Sequence, residues 1–300
     1  MLFRSNGTEK ATSFVELTLD SDVEIGTNYT VSHPKFGAYL VDNNKIYDSE
    51  SFASKYTYTG DDLGNTYSKE KTSFRIWAPV AKSVSLVTYA SASATSGTST
   101  PMQSDRNGTW IAELPGDRDG LVYTYKVTVG GNINEVVDPY ARAVTINGGR
   151  GVVVNLESTN PANWRNEKPA FSGKPTDAIV YELHVRDLSM DSSAPFPKEV
   201  RGKYSAFTYT NLKGSKGQLV GVAAIKDLGV THVQLLPIFD FASVDESAPS
   251  FNWGYDPKNY NAPEGSYSSD PADPKKRITE LKSAIQSLHS QGLRVIMDEI

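Results

Sequence analysis

The sequence predicts a multidomain chain, with an all-β N-terminal region built around a β-sandwich followed by the first part of a parallel barrel. Three observations carry this expectation. Up to about residue 160, short apolar runs with a period of two are separated by Gly, Pro, Asn and Ser, the pattern of an antiparallel sandwich. Beyond about residue 175, strand-like and helix-like runs alternate, as in a parallel α/β unit. The first strand of that second region carries one apolar and one polar face.

In chain order, Val15, Leu17 and Leu19 alternate with Glu16, Thr18 and Asp20, a half-buried strand in a small β-domain over residues 1–66. The polar stretch Gly60–Thr72 reads as a linker. The sandwich, residues 67–160, contains strands at Phe74–Trp77, Val84–Tyr89, Trp110–Leu114 and Val122–Val129, with Asn107-Gly108 and Gly130-Gly131 as turns. Trp77 follows the apolar pattern as a core residue, and Trp110 reads either as core or as a glucan-binding surface. Ser91–Thr100 is nearly all Ser, Ala, Thr and Gly and reads as a flexible loop. Residues 161–176, broken by Pro and Gly, form a second linker.

The second region, residues 177–300, begins with a strand at Ala178–Val185. A helix follows over Gln218–Leu228, stopped by Gly229, then a strand at Thr231–Ile238. Asp273 as N-cap and Pro274 at the first helical position announce the clearest helix. Ile278, Leu281, Ile285 and Leu288 give it one apolar stripe, and Gly292 ends it before a third strand at Leu293–Asp298. On the first strand, Ile179, Tyr181, Leu183 and Val185 form the apolar face, and Val180, Glu182, His184 and Arg186 the polar one. A doubly wound sheet buries both strand faces in apolar helices. A two-faced strand fits a closed barrel better, with the polar face lining the interior; a solvent-facing edge strand is the alternative.

Composition narrows the chemistry. Thirty Lys+Arg against 35 Asp+Glu leave a net charge of −5, against a broad nucleic-acid footprint. The chain has no cysteine, which removes disulfides, thiolate metal sites and thiol nucleophiles. Its four histidines, His33, His184, His232 and His289, lack metal-ligand spacing; His184 and His232 read as buried strand residues, and no metal or cofactor is expected. No apolar run approaches the ~18 residues of a membrane span, and Met1–Ser13 lacks a signal-peptide core, so a cytoplasmic protein is expected.

The long connection Phe241–Pro271 has no evident secondary structure, as functional loops of that length often do not. It carries Trp253, Tyr255, Tyr260 and Tyr267 and the run Asn252-Trp253-Gly254-Tyr255-Asp256-Pro257. Such aromatics can stack on sugar rings while a carboxylate accepts sugar hydroxyls; a loop anchored by its own aromatic cluster reads equally well.

That run, with Phe251 before it and Ala262–Ser268 after it, resembles the signature loop of the type I pullulanases, debranching enzymes of the α-amylase superfamily (glycoside hydrolase family 13). Asp177–Ser189, Gly229–Phe241 and Gly292–Asp298 resemble the first three strands of their (β/α)8 barrel. Phe74–Pro79 and Val137–Ala141 resemble their carbohydrate-binding β-sandwich. The resemblance implies hydrolysis of α-1,6-glucosidic branch points of pullulan, starch or glycogen, with an α-glucan as the partner and a retaining two-carboxylate mechanism. By the same resemblance Tyr255 stacks on the sugar at the cleavage site, Asp256 lies beside it, Asn252 and Trp253 shape the loop, and Asp298 supports the active site. The family's nucleophile and acid/base come from the fourth and fifth strands. The chain is therefore expected to be cut short within the third strand and inactive alone. A non-catalytic glucan-binding fragment, or an isoamylase or branching enzyme, are the alternatives.

Overall fold

The computed structural model describes residues 23–165 and 167–300; the strand expected at Val15–Leu19 lies outside them. A hairpin of β1 (Thr30–His33) and β2 (Gly37–Leu40) comes first, followed by the short helix α1 (Glu50–Tyr56), capped by Ser49 Oγ, which accepts from the Phe52 amide. An all-β reading misses α1 because only one turn's worth of capping signal marks it.

Two antiparallel sheets then form the sandwich. One has the order β3 (Gly64–Tyr67), β4 (Lys71–Trp77), β8 (Thr109–Pro115), β7 (Gln103–Ser104). The other has the order β10 (Asn132–Val136), β9 (Val122–Val129), β5 (Ser83–Tyr89), β6 (Thr98–Pro101), with β11 (Gly151–Val152) also on β9. Phe74, Ile76, Val84, Leu86, Tyr123, Tyr125 and Val153 are buried between them.

Two expectations change here. The stretch 60–72 is not a free linker, because Gly64–Tyr67 pairs with Thr72–Arg75 in β3 and β4. The Ser/Ala/Thr-rich loop folds back at its end, where Thr98–Pro101 pairs with Ser85–Thr88. Main-chain ladder bonds need no apolar side chain, so such edge strands leave little trace in composition.

Trp77 also departs from expectation. Phe74 and Ile76 face the core, and a period of two sends Trp77 to the other side, where it is 38% exposed. There Phe52 of α1 meets its ring edge-on at 6.4 Å, and its Nε1 donates to the Tyr56 carbonyl at 2.7 Å. Trp110 packs against the sandwich core, and its Nε1 donates to the Ala78 carbonyl.

The second region contains a three-stranded parallel sheet, in the order β12 (Val180–Leu183), β13 (His232–Leu235), β16 (Arg294–Met297). Val180 pairs with His232, and His232 with Arg294. The connections contain α2 (Val222–Asp227) and α3 (Pro274–Ser290). Asp273 caps α3 as expected, accepting from the Lys275 and Lys276 amides. Helix α2 is shorter than its periodicity predicts, because Gly221 at φ +63° sits where the first turn would extend. The faces of β12 differ from expectation. Ile179, Val180 and Tyr181 are all exposed, while Leu183, His184 and Val185 go inward. In this sheet β12 is an edge strand, paired with β13 alone.

The connection after β13 also contains unexpected structure. β14 (Phe239–Phe241) pairs antiparallel, with bulges, to β15 (Pro257–Pro263). No helix among the described residues is long and apolar enough to cross a membrane.

Candidate functional site at the ends of the parallel strands

All three parallel strands run toward one segment, Phe251–Asp256. Beyond the end of β12, the His184 ring reaches the Asn252 carbonyl, with Nε2 2.8 Å from it. Beyond β13, Pro237 lies against Gly254. Beyond β16, Asp298 meets Tyr255. Carboxyl ends of parallel strands are where α/β folds build ligand sites.

The glycine in this segment is required. Gly254 has φ +90°, and a Cβ there would lie 2.9 Å from Pro237 Cβ and 3.1 Å from its carbonyl oxygen. Left-handed backbone and close approach both favour glycine. Asn252 closes the turn, with Oδ1 accepting from the Gly254 amide at 2.9 Å and Nδ2 donating to Ser243 Oγ at 3.0 Å.

Tyr255 leaves this turn 42% exposed, and its hydroxyl donates to Asp298 Oδ2 at 2.6 Å. That hydrogen bond pushes the phenol up to about 12. The ring is fixed at one end while the rest of it is open to a ligand. Trp253 is 59% exposed and meets Phe251 edge-on at 5.2 Å.

Asp256 points elsewhere. Its Oδ2 accepts from the Ser243 amide at 2.8 Å and from the Ser243 hydroxyl. Burial alone would raise this carboxyl, but the Ser243 hydrogen bonds outweigh burial and hold it below the usual range. Tyr255 and Asp298 thus meet directly, Asn252 shapes the turn, Trp253 stands beside it, and Asp256 ties the segment back to Ser243. A cavity of about 160 Å³ adjoins Ser250, lined by Arg186, Arg201, Lys203, Ser266 and Tyr267 among others; their N–H and O–H groups can donate to sugar oxygens.

The structure also shows a cluster that the sequence did not announce. Arg277, 1% exposed, forms a fork on Glu246, with Nη1–Oε1 at 2.8 Å and Nη2–Oε2 at 2.6 Å. It also donates to the Pro271 carbonyl through Nε and Nη2. Asp240 lies 3.5 Å from Nη1 and accepts from Asn259 Nδ2 at 2.7 Å. Glu264 accepts from the Phe241 and Ser266 amides. Burial pushes both Asp240 and Glu264 up to about 7. Oxygens of Asp240, Glu246 and Glu264 lie close enough together to hold a metal ion, but the guanidinium of Arg277 already occupies the cationic position between Asp240 and Glu246.

This cluster joins the two regions. The Asn147 amide donates to Glu246 at 2.6 Å, Asn147 Oδ1 accepts from the Glu246 amide, and Asn259 Nδ2 also reaches the Gly148 carbonyl. Gly148, at φ +60°, comes so close that a Cβ would collide with Asp240 Oδ2. One sequence signal was available. Arg277 lies on the same helical face as Leu281, Ala284 and Leu288, so its charge continues an apolar stripe.

Residues 62–141 match the family described as Carbohydrate-binding module 48 (Isoamylase N-terminal domain). The pullulanase of Bacillus subtilis (strain 168) is 40% identical over 252 residues, covering 83% of this chain and 34% of that protein. The chain is thus similar to pullulanases over part of their length. Its structure superposes on pullulanase from Bacillus acidopullulyticus with a TM-score of 0.88 at 42% identity, covering 95% of this chain and 34% of that one. Pullulanase from Paenibacillus barengoltzii, in complex with maltohexaose and alpha-cyclodextrin, gives a TM-score of 0.79 at 50% identity, covering 83% and 39%. The chain therefore spans little more than a third of these three pullulanases. The module assignment agrees with the sandwich core around Phe74 and Tyr123, and the parallel strands and Phe251–Asp256 lie beyond it.

Proposed function

We propose that this chain supplies the carbohydrate-binding module and the first three strands of a (β/α)8 catalytic barrel to a debranching glycoside hydrolase. The substrate is an α-glucan such as pullulan, starch or glycogen, and the bond cleaved is the α-1,6-glucosidic branch point. The observation that carries this is the Tyr255 ring, held by Asp298 across the carboxyl ends of the parallel strands and half open to a ligand. A fixed aromatic face there can hold a sugar ring in the position that a retaining carboxylate pair needs, about 5–5.5 Å apart on either side of the bond. By the family resemblance, that pair comes from the fourth and fifth strands, so residues 1–300 are proposed to bind glucan and not to cleave it.

Titration of the 300-residue chain with maltotriose tests the binding half. Affinity should fall at least about tenfold in Tyr255→Ala, since ring stacking and its positioning are lost together. Undiminished binding by Tyr255→Ala removes the ring from the site. Reducing-sugar release tests the other half. The enzyme completed with the remaining barrel strands should act on pullulan, and the 300-residue chain should not. A completed enzyme that cuts α-1,4 bonds alone, or a 300-residue chain that releases sugar from pullulan, overturns the assignment.

A further inference from the structure

His184 is 4% exposed, yet both of its ring nitrogens are engaged. Nδ1 accepts from the Arg186 backbone amide at 3.2 Å, and Nε2 lies 2.8 Å from the Asn252 carbonyl oxygen. A backbone amide only donates and a carbonyl only accepts. Between the two tautomers, the contacts therefore select the one with the proton on Nε2; Asp187 Oδ1 lies farther off, 3.9 Å from Nδ1. The other tautomer would set N–H against N–H at Arg186 and a nitrogen lone pair against the oxygen at Asn252. The Tyr267 hydroxyl, 3.2 Å from Nε2, can share the same proton as a three-centre bond.

The ring also holds the segment by its faces and edges. Phe251 stacks on it with centroids 4.9 Å apart and planes 29° apart. Trp253 and Tyr267 meet it edge-on at 6.5 Å and 5.8 Å. His184 thus contacts Phe251, the Asn252 main chain and Trp253, three consecutive residues immediately before the Gly254 turn. Asn252 passes this constraint on, since its side chain bonds the Gly254 amide and Ser243, and Ser243 in turn holds Asp256. Tyr255 lies between these two fixed points.

We infer that His184, donating its Nε2–H to the Asn252 carbonyl, is the positioning residue for Phe251–Asp256, and through Asn252 sets the direction in which Tyr255 faces its ligand. It does not itself bond to Tyr255. The inference rests on the proposed glucan reading only for what Tyr255 contacts; the effect on the segment stands apart from it. A residue that merely fills space would be replaced well by Phe, which keeps the ring and its stacking. A residue that acts through Nε2–H would be replaced better by Gln, whose amide nitrogen reaches about as far as Nε2 and donates in its place.

Amide hydrogen exchange on the 300-residue chain separates the two, with residues 122–129 and 232–235 as internal references. His184→Phe should speed exchange at Gly254 and Tyr255 by about tenfold, with both references unchanged, because a half-buried carbonyl loses its donor. His184→Gln should stay within about threefold of the wild type at the same amides. Nitrogen-15 shifts of the wild-type ring should show a protonated Nε2 and an unprotonated Nδ1. The inference is overturned if Phe is as quiet as wild type, if Gln loosens the segment as much as Phe does, if both variants speed exchange at the references equally, or if the ring carries its proton on Nδ1. Maltotriose titration of Tyr255→Ala runs beside these measurements. If that variant binds like wild type, the glucan reading fails, and the Phe-against-Gln comparison still decides the role of His184.

Discussion

The sandwich and the parallel unit are stabilised by opposite means, and the contrast explains where each is vulnerable. Between its sheets the sandwich buries aromatic and aliphatic side chains, with one buried carboxylate, Asp138, at its margin. Asp138 accepts from the Tyr123 hydroxyl at 2.6 Å and the Tyr140 amide at 2.9 Å. The parallel unit has an apolar core around Val233, Leu235 and Leu288, but on the side toward the sandwich it buries Asp240, Glu246, Glu264 and Arg277. Apolar packing tolerates small losses in proportion to the volume removed. A buried ionic cluster does not, because removing one member strands the others.

The largest test of this contrast is Arg277→Met. It leaves Glu246 and Asp240 without their cation and should destabilise the parallel unit by about 3–5 kcal/mol. Denaturant unfolding followed by hydrogen exchange should show early loss of 232–235 while 122–129 stays protected. Adding Glu246→Met should recover part of the loss, since a whole ion pair can be exchanged for apolar side chains at little cost. Equal loss in both regions from the single change would show that they unfold as one unit.

Ile278 sharpens the comparison from the other side. It belongs to α3, yet it packs with Val87, Tyr89, Val122 and Val152 of the sandwich. Lys275 of the same helix pairs with Asp119 at 2.5 Å, and Lys282 donates to the Leu156 carbonyl, Thr159 and Asn160. Ile278→Ala should cost about 2–4 kcal/mol and, unlike Arg277→Met, should lower protection in both regions. Loss confined to α3 would mean that the helix is only loosely seated on the sandwich.

A pH series separates the regions more gently. Asp240 and Glu264 are both raised to about 7 by burial, above their unfolded range near 4. The folded form therefore holds more protons than the unfolded form between those limits. Their contribution to stability is fully present below pH 4 and is lost as the pH rises through 7. Between pH 5.5 and pH 8, wild type should lose on the order of 1 kcal/mol more than Asp240→Asn, as read by thermal unfolding. Identical pH slopes for the two proteins would remove the Asp240 effect.

The smallest expected effect is at the exposed end of the parallel unit. Tyr255→Phe keeps the ring but frees Asp298. At a half-exposed site the stability change should be below about 1 kcal/mol, whereas maltotriose affinity should fall further, to a level between wild type and Tyr255→Ala. Affinity equal to wild type would show that the ring needs no anchor.

Most of the sandwich was legible because alternation marks a strand with one buried face. Phe74 and Ile76 in β4 and Val84 and Leu86 in β5 were readable this way. Edge strands β3 and β6 were not, since Gly, Asn, Ser and Thr pair through main-chain atoms. Helix α3 was readable to its cap because Asp273 and Pro274 act locally. Beyond Arg277 on the apolar stripe of α3, the buried cluster was not readable, since Asp240, Glu246, Glu264 and Arg277 are drawn together from a strand, two loops and a helix.

By itself, then, the sequence determined what depends on neighbours along the chain: periodicity, the α3 cap, and the motif that marks the loop. The tertiary structure decided what depends on distant partners. It put Trp77 under α1, turned Asp256 toward Ser243, joined Tyr255 to Asp298, and chose the tautomer of His184 through Arg186 and Asn252. A hydrogen bond is directional and acts over about 3 Å, so which groups share one is settled only when the fold has placed them.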